Sequence, residues 1–325
     1  MSRDAVSKRA YLKQAIFLDR RRSPTIQAKL AQSLKKLHRI GDRKEALGDD
    51  QRYVRAIIYH RQFANMLFGI FASYERGTHQ LTVAEDDEAE TLTIEQVAPP
   101  KGADNKRREF LEGVCYFGLF DNHVVVVQSN ALGSKQIEQH INWLFRQAGV
   151  VAEGDGVGLS DQIATATKDK IRQAHVKEVE IGAPLVQPAE SEISERQEVT
   201  KEKALTFGGF GIDILRQVIG DKLDSMKLAD ALDGNIEVSI KVRYKQKTTE
   251  KAHKLLDNIA LAIRHIDEDQ VKLHLVGGGN VVGSQLKLST SLRVEARDGI
   301  ANPDELFRKM RDWLLDLLEK KIVEP

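Results

Sequence analysis

Cysteine is almost missing from this sequence, since Cys115 stands alone among 325 residues. A single thiol excludes an internal disulfide and offers no cysteine pair for a zinc site. Cys115 lies inside an apolar segment, residues 110–120, where burial predicts an inert thiol and not a nucleophile. The scarcity of cysteine fits a protein of the reducing cell interior.

Long apolar runs are missing as well. No stretch approaches the length of a membrane span, and the first residues lack the apolar core of a signal peptide, so we expect a cytoplasmic protein. Net charge is nearly absent too, at +1 for the whole chain. Without a global field, any attraction for nucleic acid must come from local clusters of Lys and Arg.

The clearest pattern that is present is alternation. Residues 236–247 read IEVSIKVRYKQK, and residues 271–276 and 285–296 repeat the pattern. Because side chains alternate across a strand, each segment predicts one apolar and one polar face. We expect the three strands to pair in one sheet whose solvent face is basic, with few acidic residues to offset the positive charge. The candidate DNA-binding residues on these strands are Lys241, Arg243, Lys245, Lys247, Lys272, Lys287 and Arg293. A Lys-rich face also serves merely to deter edge pairing, and the sequence leaves both interpretations open.

The order of the predicted elements indicates an α+β protein with two α+β domains. Residues 1–149 form the first, an antiparallel sheet flanked by helices, in which residues 110–120 are a central strand and make a tight hairpin with residues 124–127. Residues 150–206 are interpreted as a partly disordered connector with one strand. Residues 207–325 form the second domain, a three-stranded sheet in the order β-α-β-β-α with both helices on its apolar face.

The last predicted helix begins with the capping box Asn302-Pro303-Asp304-Glu305. Its apolar residues, Trp313, Leu314, Leu317 and Leu318 among them, cover more surface than one small sheet needs. We therefore expect a homodimer.

A second basic cluster lies near the start of the chain. Residues 1–44 hold thirteen Lys or Arg and three Asp or Glu. An arginine run precedes a predicted helix with an apolar stripe and a basic back. A basic helix beside such a run can bind a phosphate backbone, although many surface helices of this kind bind nothing specific. Its candidate residues are Arg20, Arg21, Arg22, Lys35 and Lys36.

Recognisable catalytic motifs are missing. The nine histidines form no H-x-x-x-H or H-E-x-x-H pair. Glu237 and Lys241 share a strand face, but their spacing is not the Glu-x-Lys of a metal nuclease. The glycine cluster at residues 206–211 lacks the Lys-Ser/Thr of a P-loop. We expect no catalytic residues, no metal and no cofactor, although nucleases can also be built from scattered residues.

Residues 207–247 resemble part of the RexA-type phage-exclusion proteins. The likeness lies in an aromatic-glycine opening, the helix ILRQVIG at residues 214–220, an acidic-apolar bridge through Asp230 and Asp233, and EVSIKVRYK. It covers the second half of the chain, and the first half in outline. The resemblance implies a cytoplasmic, dimeric protein that binds double-stranded DNA without sequence preference. It also implies a role in phage defence or superinfection exclusion, with a membrane-protein partner.

Three functions remain open at this point. The first is a non-catalytic, sequence-nonspecific DNA-binding sensor or clamp, because no groove-reading helix or aromatic platform is evident. The second is a nuclease of a bacterial defence system. The third is a non-catalytic oligomeric subunit whose basic faces bind an acidic protein partner.

Overall fold

The computed structural model describes residues 4–17, 24–84, 91, 93–101, 104, 106–152, 154–184, 186–188, 205–207, 237–243, 250–262, 270–297 and 299–324. Two compact units divide the chain. The first combines Met1–Thr165 with Lys287–Pro325, and the second is Ala166–Leu286. The protein is a mixture of helices and antiparallel sheets.

A nine-stranded antiparallel sheet forms the centre of the first unit. The strands of this unit are β1 (Asp4–Phe17), β2 (Glu45–Leu47), β3 (Tyr53–Phe63), β4 (Met66–Glu75), β5 (Gln80–Ala84), β6 (Thr93–Val97), β7 (Gly113–Phe120), β8 (His123–Val127), β9 (Val157–Asp161), β16 (Ser289–Arg297) and β17 (Ile300–Ala301). The path of the large sheet runs β17-β16-β1-β8-β7-β4-β3-β2, and β9 also pairs with β1. Strands β5 and β6 form a separate exposed hairpin.

Apolar cores cover both faces of this sheet. Helices α1 (Ile26–Lys36) and α2 (Ser134–Gln147) pack on one face, and α5 (Pro303–Glu319) packs on the other. Because both faces are covered, the strands at the centre are apolar on both sides. Strand β8 is buried throughout, and β7 lies between β8 and β4, so a central strand and its hairpin are confirmed, although this strand begins at Gly113 and not at residue 110.

Two glycines make room for aromatic rings in the middle of the sheet. Gly69 on β4 pairs with Phe117 on β7, and Phe68 pairs with Gly118. A Cβ added at Gly69 would lie 2.6 Å from Cε1 of Phe117, and one added at Gly118 would lie 2.8 Å from Cε1 of Phe68. Phe117 belongs to the core under α1 and α2, and Phe68 to the core under α5. The absence of two Cβ atoms thus allows one large ring on each face.

Gly69→Ala is expected to destabilise the first unit by about 1–3 kcal/mol, because the new methyl group displaces a fully buried ring. Both tryptophans, Trp143 and Trp313, belong to this unit, so the denaturant dependence of tryptophan fluorescence reports its unfolding. The matched control is Gly41→Ala, since a Cβ there meets nothing within 4 Å. Equal midpoints for the two variants would contradict the packing argument.

The C-terminal helix is capped as the sequence predicts, with one difference. The Asn302 side chain accepts hydrogen bonds from the amides of Asp304 (3.0 Å) and Glu305 (3.4 Å). In a capping box the Glu305 carboxylate would accept a hydrogen bond from the Asn302 amide. Here the Asn302 amide donates to the Glu295 carbonyl, and the Glu305 carboxylate accepts a hydrogen bond from the Glu295 amide at 2.7 Å. The cap therefore also ties α5 to β16. Leu314 and Leu317 are buried in the core under α5, and Trp313 and Leu318 pack against it. The apolar side chains from which a homodimer was predicted therefore pack in this core. Dimerisation itself stays a prediction.

The second unit contains the elements β10 (Val176–Pro184), β11 (Val186–Pro188), β12 (Leu205–Phe207), β13 (Glu237–Arg243), α4 (Glu250–Ala262), β14 (Val271–Leu275) and β15 (Asn280–Val282). Four of its strands form an antiparallel sheet in the order β13-β10-β14-β15. Helix α4 packs on this sheet, and strands β11 and β12 pair separately. Helix α3 (Thr165–Ala174) precedes β10.

The predicted three-stranded sheet is wrong in its membership. Strand β16 pairs with β1 in the first unit, and β10, which the sequence placed in a connector, lies between β13 and β14. Alternation identifies the buried face of a strand, but it carries no information about which strand lies beside it. The predicted helix at residues 214–220 lies outside the described residues. No helix of the described chain is long and apolar enough to cross a membrane.

Candidate functional site

The candidate site is the open face of the four-stranded sheet. The opposite face is apolar: Val179 and Leu273 are fully buried, together with Leu256 and Ala260 of α4. On the open face, the side chains of Lys241 and Arg243 on β13 are 51% and 68% exposed. Lys272 on β14 is exposed as well. Of the predicted DNA-binding residues, the structure brings these three together.

Strand β10 adds two carboxylates to this face. Glu180 pairs with Lys241 across β10 and β13, and Glu178 pairs with Arg243. The Nζ atom of Lys241 lies 2.9 Å from Oε1 of Glu180, and Nη1 of Arg243 lies 3.7 Å from Oε2 of Glu178. The expectation of a basic face with few acidic residues is therefore wrong. The positive charge is reduced because β10, which carries these two carboxylates, lies between the basic strands β13 and β14.

His274 on β14 faces the same two carboxylates. Its Nε2 atom lies 3.1 Å from Oε2 of Glu180 and 3.9 Å from Oε1 of Glu178. Each carboxylate thus directs one oxygen toward His274 and the other toward a cation on β13. The three side chains Glu178, Glu180 and His274, called the Glu-Glu-His cluster below, are partly exposed. Their ligand-type atoms lie within 4.8 Å of one another.

The charges on this face are strongly coupled. The hydrogen bond from Lys241, followed by that from His274, lowers the pKa of Glu180 to about 2. The same bond to Glu180 raises the pKa of Lys241 above its ordinary value. Both partners are therefore charged throughout the neutral range. Lys241, Arg243 and Lys272 together with Glu178 and Glu180 carry one net positive charge when His274 is neutral.

The remaining predicted site residues lie elsewhere. Lys287 and Arg293 belong to the first unit, where Arg293 is on β16. Lys35 and Lys36 are exposed near the end of α1, and Lys36 donates to the Ala148 carbonyl at 2.9 Å. The residues Arg20, Arg21, Arg22, Lys245 and Lys247 lie outside the described part of the chain.

A buried polar cluster in the first unit has no counterpart among the predictions. Arg55 makes two hydrogen bonds to Glu45, from Nε at 2.7 Å and from Nη2 at 3.1 Å, and a third to Gln139 at 3.1 Å. Nδ1 of His140 lies 2.8 Å from Oε2 of Glu45, and the imidazole stacks between Phe71 and Trp143. Glu45, Arg55 and His140 are all buried, so this cluster supports the fold and offers nothing to a ligand.

The pKa directions in that cluster agree with a neutral imidazole beside a carboxylate. Burial lowers the pKa of His140 and outweighs the opposing effect of Glu45. Burial raises the pKa of Glu45, but its hydrogen bonds with His140 and Arg55 outweigh burial and leave that pKa lowered. Elsewhere in the unit, burial raises the pKa of Cys115 to about 12, as expected for an inert thiol.

The Glu-Glu-His cluster was missed because β10 was interpreted as part of a connector. Its signal was present in KEVEI, residues 177–181, where acidic and apolar residues alternate. His274 was visible on the polar side of the next strand, but sequence spacing alone does not place it beside residues almost a hundred positions earlier. Comparison with protein-family models gave no match, and comparison with curated proteins also gave none.

Proposed function

We propose that the protein binds nucleic acid without sequence preference through the open face of β13, β10 and β14. The observation that carries this proposal is the position of Lys241, Arg243 and Lys272, exposed on one face whose reverse side is packed against α4. Two residues along a strand span about 7 Å, a distance comparable with the separation of phosphates along a DNA strand. Lys and Arg on this face would therefore contact successive phosphates.

Phosphate contacts of this kind carry no sequence information. Specific readout of bases requires an element that enters a groove or aromatic rings on which bases stack. The described part of the open face carries charged and polar side chains and one exposed valine, Val282, but no aromatic ring. The proposed function is accordingly that of a non-catalytic sensor or clamp with weak, salt-sensitive affinity.

The resemblance to the RexA-type proteins suggests the setting of this activity. It supports a cytoplasmic role in phage defence or superinfection exclusion, on double-stranded DNA. A homodimer and a membrane-protein partner belong to the same proposal. An alternative is that Lys241 and Arg243 only protect a sheet edge, since β13 is the terminal strand of the sheet among the described strands.

A gel-shift experiment with and without Mg²⁺ separates the candidate functions. We expect retarded complexes with two duplexes of unrelated sequence, of equal affinity, without loss of full-length DNA in either condition. Metal-dependent cleavage would favour a nuclease instead. The absence of both binding and cleavage would favour an oligomeric subunit that binds an acidic protein. The duplexes should be compared at one stated salt concentration, because phosphate-based affinities depend steeply on salt.

A further inference from the structure

We propose that the Glu-Glu-His cluster binds one divalent transition-metal ion, with Zn²⁺ and Mn²⁺ as the candidate ions. The ligands would be Oε1 of Glu178, Oε2 of Glu180 and Nε2 of His274. The existence of the metal site does not depend on the proposed function. Only its expected effect on nucleic-acid binding rests on that function. It departs from the sequence-based expectation that the chain has no metal site.

The distances suit such an ion. Zn²⁺ holds imidazole nitrogen at about 2.0–2.1 Å and carboxylate oxygen at about 2.0–2.2 Å, so tetrahedral neighbours lie roughly 3.4 Å apart. Nε2 of His274 lies 3.1 Å and 3.9 Å from the two carboxylate oxygens. All three ligand atoms lie within 4.8 Å of one another, so rotations of the three partly exposed side chains would bring them to coordinating positions.

The outward neighbours of the cluster orient the ligands. Lys241 contacts the second oxygen of Glu180, and Arg243 lies beside the second oxygen of Glu178. Partners of this kind fix the carboxylate rotamers and are a regular feature of metal sites. The inner oxygens are thereby directed at His274. A purely structural ion pair would not require both carboxylates to face the same imidazole nitrogen.

The donor set indicates the class of ion. An imidazole with two carboxylates suits Zn²⁺ or Mn²⁺, and the absence of a thiolate argues against a closed structural zinc site. Three protein ligands on an exposed sheet face leave at least one coordination position for water or a phosphate oxygen. That arrangement is typical of sites where the metal contacts a ligand.

Metal binding would also change the electrostatics of the open face. A divalent ion adds two positive charges and offsets the two carboxylates. The net charge of the cluster and its three neighbouring cations would rise from +1 to +3. Phosphate affinity should increase accordingly, so the metal would act as a cofactor of nucleic-acid binding.

The test is a calorimetric titration of the full chain with Zn²⁺ and then Mn²⁺, without nucleic acid. We expect one ion per chain in the wild type and loss of that binding in His274→Gln and in Glu180→Gln. The control His79→Gln removes an exposed histidine of the first unit and should keep the site. Thermal melting and circular dichroism establish that each variant is folded. A wild type without a stoichiometric site, or a folded His274→Gln variant that binds as the wild type does, would overturn the inference.

A second measurement separates this inference from the proposed function. DNA binding is followed by fluorescence anisotropy with and without the ion, in the wild type and in His274→Gln. Stoichiometric metal binding without any DNA binding leaves the metal site standing and removes the proposed function. DNA binding by a protein that takes up no metal supports the proposed function and removes the metal site. Tighter DNA binding with metal in the wild type alone supports both.

Discussion

Arg55→Met is expected to destabilise the first unit by about 3–5 kcal/mol, the usual cost of removing one partner from a buried ion pair. The side chains of Arg55 and Glu45 are 7% and 9% exposed. Methionine fills much of the volume of arginine, but it leaves the Glu45 carboxylate buried beside His140 without its guanidinium partner. The carboxylate must then remain charged in an apolar setting or take up a proton, and both outcomes favour the unfolded state.

The control for this substitution is Arg52→Met. Arg52 precedes the same strand and contacts Glu75 at 3.3 Å, but its side chain is 49% exposed. Exposed pairs contribute about 1 kcal/mol or less. Urea unfolding followed by the fluorescence of Trp143 and Trp313 should show a large shift for Arg55→Met and a small one for Arg52→Met. Similar small shifts would mean that the Glu45–Arg55 pair is not sealed from water.

Phe307→Ala is expected to cost about 3–5 kcal/mol, because it opens a cavity at the contact between α5 and the sheet. Phe307 is fully buried, and its ring centroid lies 5.0 Å from that of Phe68 and 6.2 Å from that of Tyr116. Tyr59 stacks at 6.4 Å, and the Arg61 guanidinium lies 5.6 Å from the ring. These neighbours lie on strands β3, β4 and β7, so relaxation around the cavity is limited.

Phe63→Ala provides the comparison for Phe307→Ala. Phe63 is 46% exposed at the end of β3, and removal of its ring should cost less than about 1 kcal/mol. Both variants are measured by urea unfolding with the same two tryptophans. If Phe307→Ala unfolds at the same urea concentration as Phe63→Ala, α5 does not hold the sheet in the way described.

Local features of the fold could be predicted from the sequence, whereas long-range pairing could not. The doubly buried β7, its hairpin with β8 and the cap at Asn302 follow from residues that are close in the chain. Strand β1 was not predicted, because residues 4–17 were considered only as part of the basic cluster near the start of the chain. One of them, Lys13, is in fact buried against Asp161 of β9. The pairing of β1 with β16 joins segments almost three hundred residues apart, and no local pattern specifies it.

The candidate site shows the same limit. Alternation correctly placed Lys241, Arg243 and Lys272 on the polar faces of their strands. The net charge of the open face depends also on the neighbouring strand, β10, which contributes Glu178 and Glu180. Both the loss of positive charge and the Glu-Glu-His cluster follow from this one strand order.

The salt dependence of DNA binding tests the functional account most directly. Each phosphate contact contributes about 0.9 to the slope of log affinity against log salt concentration, so three contacts contribute about 2.7. We expect the variant Lys241→Gln/Arg243→Gln/Lys272→Gln to lose affinity equally for unrelated duplexes and to show a slope smaller by up to about 2.7. The variant Lys35→Gln/Lys36→Gln/Arg293→Gln, which removes three exposed charges from the first unit, should keep the slope of the wild type. An unchanged slope in the first variant, with a reduced slope in the second, would contradict the account and move the DNA-binding surface to the first unit.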